Sequence, residues 1–99
     1  MKIAIQSGHF WIEFDNGYTL SVFNGYGSHT DNYDKINEFM KIIEKRNIYS
    51  IWKSQNVEIG ILKAGTLVTD KILHYDDTVK TVDLKELIEI INLLNNLEE

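Results

Sequence analysis

Two segments in which apolar and polar residues alternate flank the tripeptide Asp15-Asn16-Gly17, and this arrangement predicts a β-hairpin. A two-residue turn at Asn16-Gly17 would place Ile12 opposite Ser21 and would mix the two faces of the hairpin. A three-residue loop with Gly17 in the left-handed conformation, a G1 bulge, keeps the faces separate, so we expect that loop. It pairs Phe14 with Tyr18, Ile12 with Leu20 and Phe10 with Val22.

Further strands are predicted on both sides of this hairpin, with glycine and asparagine as the boundary signals because the chain has no proline. A short strand over residues 3–6 precedes the hairpin. Residues 57–63 alternate and turn at Ala64-Gly65 into a second arm, which is expected to continue to Tyr75 with a bend near Asp70.

The middle of the chain predicts a helix over residues 32–46, because large apolar residues recur there at helical spacing. Residues 48–54 are rich in β-branched and aromatic residues and are assigned to a strand. An extension of the helix through them is the alternative.

The C-terminal helix has the clearest start signal in the sequence. Asp83 as N-cap stands three residues before Glu86, and Val82 stands five residues before Leu87, so a capping box coincides with a hydrophobic staple. This helix is expected to run from residue 84 to about residue 97. The predicted fold is a single α+β domain over residues 1–99, with a small antiparallel sheet of about 4–6 strands and two amphipathic helices.

The C-terminal helix has more apolar residues than one core-facing stripe requires, because they span an arc of roughly 220° at 100° per residue. The expected core face consists of Leu84, Leu87, Ile88, Ile91 and Leu94. The remaining flank consists of Ile90, Leu93 and Leu97. Either the helix over residues 32–46 packs along this flank, or the flank is the seam of a homodimer.

The composition excludes several classes of protein. The chain has no cysteine, which excludes a disulfide framework, a thiolate zinc site and a cysteine nucleophile. A hydrophobic fraction of 43% with 25% charged residues is typical of a globular domain. The first residues lack the apolar region of a signal peptide, and no span of about 20 apolar residues occurs, so we expect a cytoplasmic protein with no membrane partner.

The net charge of −5 is confined to the end of the chain, because residues 1–75 hold eight acidic and eight basic residues and residues 76–99 hold seven and two. Such a segment repels polyanions, so direct nucleic-acid binding through it is disfavoured. The acidic residues that we assign to partner binding are Asp76, Asp77, Glu86 and Glu89. Mimicry of a nucleic-acid backbone by this quarter is a further hypothesis.

No sequence motif indicates catalysis: the chain has no phosphate-binding loop with Lys-Ser/Thr, no His-Glu-x-x-His and no Gly-x-Ser-x-Gly. A metal site would have to be assembled from scattered residues whose spacing does not require one. Its candidate ligands are His29, Asp31, His74 and Asp76. We therefore expect a non-enzymatic protein without a metal or another cofactor.

Two aromatic residues, Trp11 and Phe23, are placed by the preferred register on the otherwise polar face of the hairpin. They are assigned to partner binding together with Tyr26 in the following loop, with burial under the helix over residues 32–46 or the Trp52 segment as the alternative. A nucleic-acid-binding module is the competing function, in which these aromatics stack on bases beside a row of basic residues. That row is Lys35, Lys41, Lys45, Arg46 and Lys53.

Several short motifs together resemble a group of small phage and prophage proteins that has no assigned activity. The motifs are Asp15-Asn16-Gly17-Tyr18, residues 57–62, Thr69-Asp70, His74-Tyr75 and the capped C-terminal helix. The chain departs from the group in having Thr19 after Tyr18 and a long segment, residues 28–56, in place of a tight glycine loop. The resemblance implies a mobile-element accessory protein that binds and inhibits a host protein or nucleoprotein complex, as anti-CRISPR proteins do.

Overall fold

The computed structural model describes residues 1–6, 8–24 and 54–98. These residues form an α+β arrangement in which a six-stranded antiparallel sheet carries a C-terminal helix. The predicted helix over residues 32–46 and the candidate residue Tyr26 lie outside the described residues. So do all but the last residue of the predicted strand over 48–54 and the five basic residues of the nucleic-acid hypothesis.

The sheet is built from neighbouring antiparallel strands in the order β1-β2-β3-β4-β5, and β6 pairs with β4. Because β3 occupies one edge of β4, β5 and β6 share the other edge, where β5 pairs near its end and β6 near its start. The strands are β1 (Lys2–Gln6), β2 (His9–Glu13), β3 (Tyr18–Phe23), β4 (Asn56–Lys63), β5 (Thr66–Leu67) and β6 (Lys80–Asp83).

The predicted register of the first hairpin is confirmed. Ile12 lies opposite Leu20 and Phe10 opposite Val22. The loop closes with a 2.8 Å hydrogen bond from the Phe14 amide to the Tyr18 carbonyl, and Gly17 has a φ of +91°. Glycine adopts this left-handed conformation without the steric penalty of a Cβ atom, as the G1 bulge requires.

The second hairpin is confirmed only as far as Leu67. The expectation that its second arm continues as a strand to Tyr75 is wrong, because residues Thr69–Leu73 form a short helix, α1. The buried Thr69 hydroxyl accepts a 2.8 Å hydrogen bond from the Ile61 amide. The Thr69 side chain thus takes the place of the backbone carbonyl that would otherwise accept from Ile61 of β4. The chain leaves the sheet at this residue.

Strand β6 was missed by the sequence analysis. It pairs with the first half of β4 and places Val82 opposite Val57, so that Val82 is buried in the core. Its alternation extends over four residues only and runs directly into the N-cap of the following helix. The alternation in these four residues is therefore too short to predict a strand, and the same residues were interpreted as the start of the helix.

Helix α2 (Leu84–Asn95) begins as predicted, because the Asp83 carboxylate accepts a 2.9 Å hydrogen bond from the Glu86 amide. Its other end is held by the β2–β3 loop. The side-chain amide of Asn16 donates 2.7 Å hydrogen bonds to the carbonyls of Leu94 and Leu97. The helix thus lies across the sheet from the end of β6 to the first hairpin loop.

The predicted core face of α2 is wrong, because the helix is rotated about its own axis relative to the prediction. Ile90, assigned to the dimer seam, is only 3% exposed and belongs to the core, whereas Leu84 and Ile88, assigned to the core, are exposed. Leu97, also assigned to the seam, packs against the core and is partly buried, and Leu93 is 40% exposed. The apolar arc is wider than the buried stripe, so several rotations satisfy the pattern, and the contacts of both helix ends select one.

The buried core lies between α2 and the sheet. It contains Ile12, Phe14, Leu20, Val22, Ile59, Ile61, Val82, Leu87, Ile90 and Leu94. Within the described residues no helix has the length and apolar character needed to cross a bilayer.

Candidate functional site

One flank of α2 presents aliphatic side chains that the described structure leaves exposed. Leu84 is 67% exposed and Ile88, one turn further along, is 51% exposed. Ile91 continues the same stripe and is partly buried against the core. The excess of apolar residues on this helix is therefore observed, but on the side opposite to the flank that the sequence analysis selected.

The other flank of α2 faces α1. A cleft of about 200 Å³ on this side is lined by Leu73, Lys80, Glu86, Glu89, Ile90 and Leu93. Within it the Lys80 ammonium lies 3.0 Å from a Glu86 carboxylate oxygen. At 3.6 residues per turn Leu84 lies about 180° around the helix from Leu93. The exposed flank therefore points away from α1 and the cleft beside it.

Strand β1 adds two more exposed aliphatic residues, Ile3 (63% exposed) and Ile5 (81% exposed). They pair with Ile12 and Phe10 of β2. Directly opposed residues of antiparallel strands point to the same face, and Ile12 is buried beneath the helix, so Ile3 and Ile5 lie on the helix-bearing face. We call Ile3, Ile5, Leu84 and Ile88 the aliphatic surface.

A groove of about 220 Å³ opens on this side of the sheet, at the end where β2 begins and β3 finishes. Its apolar wall is formed by Ile5, Phe10, Val22 and Val57. All four belong to strand positions on the helix-bearing face. The described structure thus contains an apolar groove that α2 does not cover.

The opposite face of the sheet carries an aromatic cluster. The His9 ring lies 3.8 Å from the Trp11 ring and 4.9 Å from the Phe23 ring, centroid to centroid. A ring nitrogen of His9 is 2.7 Å from the Ser21 hydroxyl, and burial lowers the pKa of His9 below its ordinary value. Trp11 and Phe23, the aromatic residues singled out from the sequence, therefore belong to one cluster with His9. All three residues are partly buried.

His9 was not assigned to this cluster by the sequence analysis, although a signal existed. It stands two residues before Trp11 and therefore on the same face, and the preferred register places it opposite Phe23.

The predicted partner-binding residues do not form one site. Trp11 and Phe23 lie on the face of the sheet opposite α2, whereas Glu86 and Glu89 lie on α2 in the cleft beside α1. Asp76 and Asp77 are exposed in the connection from α1 to β6. The Asp77 carboxylate accepts a 2.6 Å hydrogen bond from the Thr78 amide, so part of its acceptor capacity is used within the loop.

Among the described residues, no three histidine or acidic side chains gather into a group able to hold a metal ion. Two members of the considered quartet, His29 and Asp31, lie outside that part of the chain.

Comparison of the chain with protein-family models, with curated proteins and with solved structures finds no match in any of the three.

Proposed function

We propose that this chain is a non-enzymatic binding protein that acts by burying its aliphatic surface against a partner protein. The observation that carries the proposal is the exposure of Leu84 (67%) and Ile88 (51%), which exceeds that of Leu93 (40%) on the opposite flank of the same helix. Exposed aliphatic residues on regular secondary structure are typical of protein-binding surfaces, because their burial is favourable by about 25 cal/mol per Å².

The charge distribution supports a partner with basic residues around an apolar segment. The whole net charge of −5 lies in residues 76–99, which include α2. Asp83 directly precedes Leu84, and Asp76 and Asp77 are exposed in the preceding loop. Complementary charge at the rim of an interface accelerates association and excludes partners of like charge.

The partner that we propose is a host protein or nucleoprotein complex, which the chain would inhibit by occupying a contact surface. This part of the proposal rests on the resemblance to small phage accessory proteins and on the acidic character of the C-terminal quarter. It places the activity in the host cytoplasm.

The test compares two variants with the same net charge. Leu84→Glu/Ile88→Glu changes the aliphatic surface, and Lys85→Glu changes its exposed neighbour on α2; each takes the net charge from −5 to −7. All three side chains are exposed, so neither variant should lose more than about 0.5 kcal/mol of stability per substitution.

The wild type is used to capture partners from the native host, and the captured protein is purified for direct titration. We expect the double variant to bind at least about tenfold more weakly than the wild type, and Lys85→Glu to remain within about threefold. Equal binding by the wild type and the folded double variant contradicts the proposal.

A second candidate function, binding of single-stranded nucleic acid, is supported by the His9-Trp11-Phe23 cluster on the face of the sheet opposite α2. Aromatic side chains on an open sheet stack on bases, and the affinity of such binding falls with salt. Titration with single-stranded DNA and RNA at two salt concentrations tests it. Micromolar affinity that is lost in Trp11→Ala and retained in Leu84→Glu/Ile88→Glu favours this function over the first.

A further inference from the structure

The outer edge of strand β1 carries backbone groups that the described sheet does not pair. Strand β1 is the terminal strand of the order β1-β2-β3-β4-β5, and all five of its residues are exposed. Proteins commonly protect such edges with inward-pointing charges, proline or a bulge. The central residues of β1 are Ile3, Ala4 and Ile5, which provide none of these.

The alternation of hydrogen-bonding direction along each strand identifies which backbone amides and carbonyls of β1 face outward. The Phe14 amide bonds to Tyr18 and the Asn24 amide to the Gly8 carbonyl, so even-numbered residues of β2 bond toward β3. Bonding direction alternates along a strand, so odd-numbered residues of β2 bond toward β1. Their partners in β1 are Lys2, Ala4 and Gln6. The amides and carbonyls of Ile3 and Ile5 therefore point away from the sheet.

We infer that β1 pairs antiparallel with β1 of a second copy of this chain, about a two-fold axis at Ala4. This register places Ile3 opposite the partner's Ile5 and Ile5 opposite the partner's Ile3, and it forms four backbone hydrogen bonds. Lys2 lies opposite the partner's Gln6, so no like charges face each other. The strand is self-complementary in both backbone and side chains.

The pairing also extends the apolar face. Ile3 lies beside Ile12 within its own chain, and in the dimer its other neighbour is the partner's Ile5. Cross-strand pairs of β-branched residues stabilise such ladders. The groove wall that ends at Ile5 in one copy continues into the partner's Ile3. This interface shares Ile3 and Ile5 with the aliphatic surface but uses their outward-facing backbone groups, and it does not involve Leu84 or Ile88 of α2.

The first test removes outward-facing amides. Ile5→Pro deletes an amide that takes no part in the β1–β2 ladder, and proline is tolerated where a strand's N–H faces solvent. Two of the four intermolecular hydrogen bonds are lost, so we expect the dimer to weaken by about tenfold or more. Ile5→Lys, which adds a charge at the edge, is the second variant in case the proline variant does not fold.

The second test uses the residue on the two-fold axis. Ala4→Lys and Ala4→Glu each place two like charges opposite one another in a homodimer, whereas an equimolar mixture places opposite charges together. We expect each variant alone to dimerise more weakly than the wild type and the mixture to form a heterodimer. Heterodimers in the mixture are specific to this register.

Sedimentation velocity between about 10 and 500 µM, with circular dichroism to verify folding, measures each species. Dimerisation of the wild type, its loss in the position-5 variant and rescue in the position-4 mixture support the inference. A wild type that stays monomeric throughout, an undiminished dimer in the folded position-5 variant, or no heterodimer in the mixture each overturns it. Leu84→Glu/Ile88→Glu, which removes binding in the proposed function, should leave this dimer unchanged.

Discussion

Asn16 connects the first hairpin loop to the far end of α2, and its replacement tests how the helix is fixed on the sheet. Its side-chain amide donates to the carbonyls of Leu94 and Leu97, each at 2.7 Å. Its side-chain oxygen accepts from the Tyr18 amide at 3.3 Å, and its carbonyl accepts from the Lys63 ammonium at 2.7 Å. One partly buried residue thus binds a carbonyl in the last turn of α2 and a second carbonyl just beyond the end of the helix.

Asn16→Ala removes the two donated hydrogen bonds and the longer one accepted from the Tyr18 amide, and it keeps the contact of the Asn16 carbonyl with Lys63. A hydrogen bond contributes about 0.5–1.5 kcal/mol net, so loss of the two donated bonds alone should lower the free energy of unfolding by about 1–3 kcal/mol. Asn16→Asp keeps the shape of the side chain but directs a carboxylate at two carbonyl oxygens and at the negative end of the helix dipole. This charge adds about 0.3–1 kcal/mol of destabilisation.

Urea unfolding at pH 7, followed by far-ultraviolet circular dichroism, measures both variants against the wild type. Asn95→Asp is the matched control, because it adds the same charge at the end of α2 on an exposed side chain that is not part of the Asn16 contact. We expect the order of stability wild type, Asn95→Asp, Asn16→Ala, Asn16→Asp. An Asn16→Asp variant as stable as Asn95→Asp would refute the capping argument.

Three further predictions concern the turn, the core and the aromatic cluster. Ala64 has a φ of +52° before Gly65, so Ala64→Asn should raise the free energy of unfolding, measured with urea, by about 0.5–1 kcal/mol, and no increase would contradict the left-handed assignment. Leu94→Ala should cost about 2–5 kcal/mol in the same assay and Leu84→Ala less than about 0.5, because only Leu94 is buried; equal losses would contradict the observed rotation of α2. Burial lowers the pKa of His9, so the folded state binds fewer protons than the unfolded state just below pH 6.5. The free energy of unfolding should therefore fall as the pH is lowered through that range, and His9→Gln should reduce this fall. A pH profile that is the same in His9→Gln as in the wild type would contradict the assignment of the pH dependence to His9.

The local elements with a strong sequence signal were predicted correctly. The alternation around Asp15-Asn16-Gly17 determined both the loop length and the register, since any other register mixes the two faces of the hairpin. The spacing of Asp83 and Glu86 determined where α2 begins, because a capping side chain acts within one turn.

Tertiary contacts decided the remaining features. The apolar arc of α2 permits several rotations, and the orientation that buries Ile90 is selected by β6 at one end of the helix and Asn16 at the other. The short helix α1 forms where a strand was expected, because the buried Thr69 hydroxyl takes the Ile61 amide that a strand would have used. Both outcomes depend on residues far apart in sequence, or on one side chain competing with backbone, and periodicity alone reports neither. The sequence by itself therefore determined the pairing within the two predicted hairpins and the start of the helix, and only the tertiary structure decided which apolar residues stay exposed.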